Sequence, residues 1–110
     1  MLPAKDFETS RRFYLELGFE PQMLTERLIE MRLGAFSFIL QDYYVAEWAN
    51  NFVMHVRVTD VRRWWDRIVG LDLSARYGVK AKAPEKESWG LVLGLTDPAG
   101  VLWRIAEPLG

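Results

Sequence analysis

The chain has 110 residues, half of them apolar, which makes one domain's worth of sequence and leaves no room for two. Fourteen basic residues stand against fifteen acidic ones, for a formal charge of −1, and no long block of like charge occurs, so a nucleic-acid or membrane-surface footprint is excluded and the expected partner is a small molecule or a protein. The absence of cysteine removes disulfides, thiolate metal sites and cysteine nucleophiles, and the single histidine, His55, removes every site that needs two histidines from one chain.

Asp6 is a good helix cap, and Phe7, Ser10, Phe13, Tyr14 and Leu17 recur at helical spacing up to Gly18, so a helix is predicted over about 6–17. Three strands follow, Glu20–Thr25, Arg27–Leu33 and Ala35–Gln41, broken near Glu26 and at Gly34. The polar and aromatic stretch 42–50 lacks alternation and is read as a connector. A second copy of the pattern then begins: a strand at Asn51–Val58, a helix capped by Asp60 with Val61, Trp64, Trp65 and Ile68 along one side, and an end at Gly70 with Asp72. Further strands are expected near Gly78–Ala83, Trp89–Thr96 and Val101–Glu107. Ala75–Ser88 is the longest polar stretch, expected to hold an exposed loop, and the charges of its KAKAPEKES segment read as a solvated edge. The order β-α-β-β-β thus occurs twice, in modules of about 1–41 and 51–110, and indicates an internal duplication.

The segments LPAKDFETSRRFYLELGFEP, FVMHVRVTDVRRWWDRI and WGLVLGLTDPAGVLWRIAEP carry a resemblance over nearly the whole chain. A D-x-x-x-S-x-x-F-Y-x-x-L-G-F run and a D-P-x-G turn within a doubled β-α-β-β-β pattern resemble the vicinal oxygen chelate superfamily, which includes glyoxalase I, the bleomycin-resistance proteins and extradiol dioxygenases. The resemblance implies an α+β fold of paired modules with curved mixed sheets enclosing a cavity, helices outside, and a homodimer. It does not imply one activity, because a shared fold hosts many.

Metal-dependent members seat one ligand seven residues before each capping Asp and a Glu on the last strand of each module. Here the first of these positions falls ahead of Met1, and the second is Val53. Counting seven from Asp97 gives Arg104, and matching Gly34 to Gly100 gives Phe38, with Gln41 the nearest oxygen donor. Alkyl and guanidinium groups do not bind hard cations, so the expectation is a site without a metal or other cofactor.

Strand alternation puts Phe52, Met54, Val56 and Val58 on a helix-facing side and Val53, His55 and Arg57 on the cavity wall, joined there by Leu102, Arg104 and Ala106. A walled-in arginine needs a counter-charge: either an acid such as Glu30, Asp42 or Glu47, or an anionic ligand. His55 is the candidate general base, against a simple wall role. Phe38, Tyr43, Trp48 and Trp89 are the aromatic candidates for lining or closing a pocket, against ordinary packing. The resistance branch binds a cationic drug through acidic surfaces, whereas Arg57 and Arg104 point to an anion. The leading expectation is therefore metal-free binding of an aromatic or anionic small molecule by a cytoplasmic protein. The alternatives are an enzyme, using His55 with Gln41 or Glu107 around a metal or His55 with Arg104 alone, and a dimer that serves interaction only. No G-x-S-x-G, P-loop, G-x-G-x-x-G or H-E-x-x-H motif competes.

Overall fold

The computed structural model describes residues 2–44, 47, 49 and 52–109. Its elements are β1 (Leu2–Pro3), α1 (Phe7–Leu17), β2 (Glu20–Thr25), β3 (Leu28–Leu33), β4 (Phe36–Gln41), β5 (Val53–Arg57), α2 (Val61–Gly70), α3 (Leu73–Tyr77), β6 (Ala81–Glu87), β7 (Gly90–Thr96) and β8 (Leu102–Pro108). They form two four-stranded sheets of the same design, ordered β1-β4-β3-β2 and β5-β8-β7-β6. In each, the opening strand runs parallel to the last one and the remaining pairs are antiparallel. This is the expected doubled β-α-β-β-β, α+β architecture. None of the described helices is long and apolar enough to cross a membrane.

The two long helices start and stop for local reasons. The Asp6 carboxylate accepts from the Thr9 amide at 3.1 Å and that of Asp60 from the Arg63 amide at 3.2 Å, each satisfying a donor that the first helical turn leaves free. Gly18 closes α1 at φ 109°, a conformation that costs a side-chain-bearing residue dearly. Along α1 the buried residues are Ser10, Phe13, Tyr14 and Leu17, one stripe at helical spacing.

One element was not expected: residues 73–77 form the short helix α3, in which Leu73 is fully buried and the Tyr77 ring packs edge-on against Phe13 at 5.3 Å. The strand expected near Gly78–Ala83 lies later and takes in most of the lysine-rich stretch, whose charges form the expected solvated edge. It forms β6 at the sheet edge, where Pro84 sits at a shift in register between Lys82 and Glu85, and alternating charges keep the edge from pairing with another chain.

The core lies where the helix-facing sides of the two modules meet. Phe36, Phe38, Phe19, Tyr14 and Trp103 make a ring cluster with centroid separations of 4.9–6.3 Å, mostly edge-to-face. A polar chain runs through this apolar cluster. Trp103 Nε1 donates to the Tyr14 hydroxyl at 2.9 Å, and Tyr14 donates to Asp97 Oδ2 at 2.5 Å. The other carboxylate oxygen, Asp97 Oδ1, accepts from the amides of Ala99 and Val101, both at 2.9 Å. Desolvation raises the Asp97 carboxyl above its ordinary range, with its hydrogen bonds opposing the shift, and burial pushes the Tyr14 phenol well above the usual value, the nearby carboxylate adding to it.

Removing the Tyr14 hydroxyl strands both the indole donor and a carboxylate oxygen, so Tyr14→Phe is expected to cost about 1–3 kcal/mol, and Asp97→Ala about 3 kcal/mol or more. Urea denaturation of both single variants and the double one checks this; strict additivity would mean that the two groups do not act as one network. The pH dependence has a definite sign. A phenol whose folded value lies above its unfolded value of about 10 stabilises fully below that pH and loses its contribution as the pH rises through the folded value. Unfolding free energy measured from pH 8 to 11 should therefore fall less steeply in Tyr14→Phe than in the parent.

Candidate functional site

Strand alternation leaves each sheet with one face turned away from the helices. On the second sheet this open face carries Val53, His55 and Arg57 from β5, and Leu102, Arg104 and Ala106 from β8, with His55 level with Arg104 and Val53 level with Leu102 in the parallel register. Val92 and Gly94 of β7 lie beside Ala106 and Arg104, and Lys82, Glu85 and Glu87 of β6 complete the row. Lys82, Glu85, Glu87, Val92, Gly94, Leu102 and Arg104 surround a hollow of about 300 Å³.

Gly94 makes the floor of this hollow. A β-carbon there would meet only Lys82 Cβ, at 3.7 Å, an ordinary contact, so backbone sterics do not demand glycine. Its missing side chain leaves the space between Arg104 and Lys82 open. Gly90 is different: a β-carbon would lie 2.5 Å from the Glu107 carbonyl oxygen, so that glycine is required by the close approach of β8.

The charges around the hollow are loosely matched. Lys82 reaches Glu85 at 3.1 Å, while Arg104 stands 3.9 Å from Glu87 with both side chains about two fifths exposed. The counter-charge of Arg104 is thus Glu87, not Glu30, Asp42 or Glu47, and a half-exposed pair at that distance is weak enough to open for a competing anion. His55 is exposed and makes no hydrogen bond or ion pair among the described residues, so nothing orients its ring as a base.

The other residues singled out from the sequence are dispersed. Arg57 shares the face of Arg104 but lines a different depression, beside the start of α2. Gln41 lies half-buried on the open face of the first sheet, paired with Leu28 and Pro3. Tyr43 is 45% exposed just beyond β4, its carbonyl accepting from the Ala4 amide, and Trp89 is 49% exposed at the β6–β7 turn. Trp48 lies outside the described residues. Glu107 cannot join His55, because it points to the helix side, where its Oε1 accepts from the Val61 amide at 3.0 Å and caps α2.

Phe38 requires a correction. Its ring belongs to the core cluster on Tyr14 and Trp103, on the opposite face from a ligand-bearing wall. Leu2 and Val56 each stand four residues before a capping Asp; Leu2 pairs with Leu40 and Val56 with Ile105, so the counterpart of Arg104 is Ile39. Counting from the turn glycines fails because the β3–β4 turn holds two residues between Leu33 and Phe36, whereas the β7–β8 turn holds five between Thr96 and Leu102. A slip of one residue changes the face. The register was the missing signal, and Gly94 and the β6 carboxylates were missed for the same reason.

Among solved structures, the bleomycin-binding protein of bleomycin-producing Streptomyces verticillus, complexed with copper(II)-bleomycin, superposes with a TM-score of 0.82 at 20% identity, covering 98% of this chain and 92% of that one. The bleomycin resistance determinant encoded on the transposon Tn5 gives 0.80 at 22% identity over 97% and 92%. A lactoylglutathione lyase from Agrobacterium tumefaciens gives 0.72 at 17% over 96% and 88%. The chain has the vicinal oxygen chelate fold. No family model and no curated protein matches the sequence.

By strand register, the positions at which the resemblance would seat metal ligands are Val53, Arg104 and Ile39. Two alkyl groups and a guanidinium do not fit a divalent cation, and among the described residues no three carboxylate or imidazole groups gather elsewhere. Gly94→Val is expected to fold normally, with a denaturation midpoint close to that of the parent, while filling the hollow. A large loss of stability would show that the glycine is there for the backbone instead.

Proposed function

We propose that this chain is a metal-free small-molecule-binding protein whose ligand, aromatic or anionic, lies against the open face of the second sheet. One observation carries the reading: a guanidinium, Arg104, faces a hollow floored by Gly94 and, among the described residues, is held by a half-exposed carboxylate 3.9 Å away. An arginine so placed offers a planar pair of donors to a carboxylate or phosphate, and such charge-assisted hydrogen bonds are the strong ones. Two solved neighbours of this fold are bleomycin-binding proteins in complex with bleomycin, which supports a binding role. Lys82 and Arg104 are balanced around the hollow by Glu85 and Glu87, so what favours an anion over that drug is the loose pairing of Arg104.

A second copy of this chain is the proposed cover. Val53 and Leu102 leave adjoining apolar side chains 44% and 36% exposed on the same face, a patch that a two-fold axis would set against its own copy.

The test is a fluorescence screen of aromatic carboxylates and phosphates on protein first assayed for metal by elemental analysis, with sedimentation to give the mass in solution. The expected result is binding without stoichiometric metal by a species of twice the chain mass, weakened about 10- to 100-fold in Arg104→Leu, the usual worth of a charge-assisted hydrogen bond. Tight uptake of nickel, zinc, manganese or ferrous iron, lost in His55→Ala, would overturn the metal-free reading.

A further inference from the structure

Several arginines of this chain have an evident occupation: Arg11 on Glu8, Arg32 on Glu30, Arg76 on Glu16 and Arg27 on the Asp42 carbonyl. Arg57, Arg62 and Arg63 do not. Their guanidinium groups make no hydrogen bond or ion pair among the described residues, and Arg57 and Arg63 border one groove of about 750 Å³ between the modules. Leu17 and Leu33 form its apolar side, from the end of α1 and the β3–β4 turn, and Arg57, Arg63, Trp64 and Arg67 its other side.

The grouping is electrostatically costly as it stands. Arg63 and Arg67 are one helical turn apart on α2, where like charges repel, and Arg57 adds a third cation. Arg67 is fixed, but by a carbonyl: its Nε donates to the Glu16 backbone oxygen at 2.6 Å, with its guanidinium carbon close to Gly18. That bond leaves its charge unneutralised and its remaining N–H groups available. Asp60 is the single carboxylate among the described residues that line the groove, and one of its oxygens already accepts from the Arg63 amide. The α2 backbone contributes little to anion binding, since the Val61 and Arg63 amides are taken by Glu107 and Asp60. Recognition here belongs to the side chains.

Three guanidiniums against one carboxylate leave two positive charges to balance, which a single carboxylate ligand cannot do and a phosphate monoester, at about −1.5 to −2 near neutrality, can. Its three terminal oxygens suit planar donors arriving from separate elements. The half-buried indole of Trp64 and the Leu33 side chain supply an apolar bed for what is attached to the phosphate. We propose that this groove is a second binding site, distinct from the hollow over Gly94, for a small organic phosphate monoester whose phosphoryl group meets Arg57, Arg63 and Arg67 and whose flat portion rests on Trp64.

Isothermal titration and amide-resolved NMR with phenyl phosphate, inorganic phosphate and benzoate test this on the full chain, using Arg63→Gln, Arg57→Gln and Gly94→Val, each checked for folding by circular dichroism. The expected result is saturable binding of phenyl phosphate, weaker binding of the other two probes, and a loss of about tenfold in each arginine variant. Gly94→Val should bind like the parent, with the Trp64 indole signal shifting. No saturable binding, or unchanged affinity in Arg63→Gln, would overturn the site. Loss of binding in Gly94→Val alone would place the phosphate in the sheet hollow, sinking this proposal while leaving the reading of that hollow intact. Benzoate binding as tightly as phenyl phosphate in Gly94→Val, where the hollow is filled, would refute the charge argument.

Discussion

The Trp103–Tyr14–Asp97 chain is the constraint on which the rest of the molecule depends. It joins the first helix of one module to the last two strands of the other, across a core that is otherwise aromatic and apolar. Asp97 acts at both ends of this arrangement. One oxygen accepts the hydrogen bond of the Tyr14 hydroxyl, and the other gathers the Ala99 and Val101 amides, closing the five-residue turn that delivers β8. A buried carboxylate survives only when its lone pairs are filled, and the partners here are two backbone amides of a tight turn and the hydroxyl of a fully buried tyrosine. The position of Trp103, and with it the orientation of Arg104 one residue on, follows from that turn.

Because the modules meet through their helix-facing sides, the opposite faces of both sheets are released for other work. This explains why the second sheet can present Val53, His55, Leu102 and Arg104 outward without destabilising the fold: none of these side chains has a core role. It also explains the uneven value of the arginines. Arg104, over a side-chain-free glycine with a distant acid, and Arg57 with Arg63 and Arg67, in a groove between modules, both lie where backbone geometry rather than pairing determines the charge. The two sets are separate although Arg57 and Arg104 occupy adjacent strands.

The sequence was most legible where a local rule acts within one element. The Asp6 and Asp60 caps, the Phe13, Tyr14 and Leu17 stripe, and the alternation of β5 and β8 were all readable, since each depends on backbone periodicity alone. Legibility failed across turns and between elements. Phe38 was placed on a wall because turn glycines were aligned, whereas the ladder, which is independent of turn length, assigns that place to Ile39. The α3 turn was given no element in the sequence because five residues carry too little periodicity; the burial of Leu73 and the Tyr77 contact with Phe13 give it a reason to be helical.

Sequence alone therefore determined the doubled α+β pattern, the exclusion of thiolate and paired-histidine chemistry, and the face on which His55, Arg57 and Arg104 lie. These follow from composition and from repeats of 2 and 3.6 residues, which need no knowledge of neighbours. Tertiary structure decided which cations share a cavity, which acid answers Arg104, and that Glu107 serves a helix cap instead of a site. Those outcomes depend on register and on the docking of one module against the other, distances between residues far apart in the chain that no local pattern encodes.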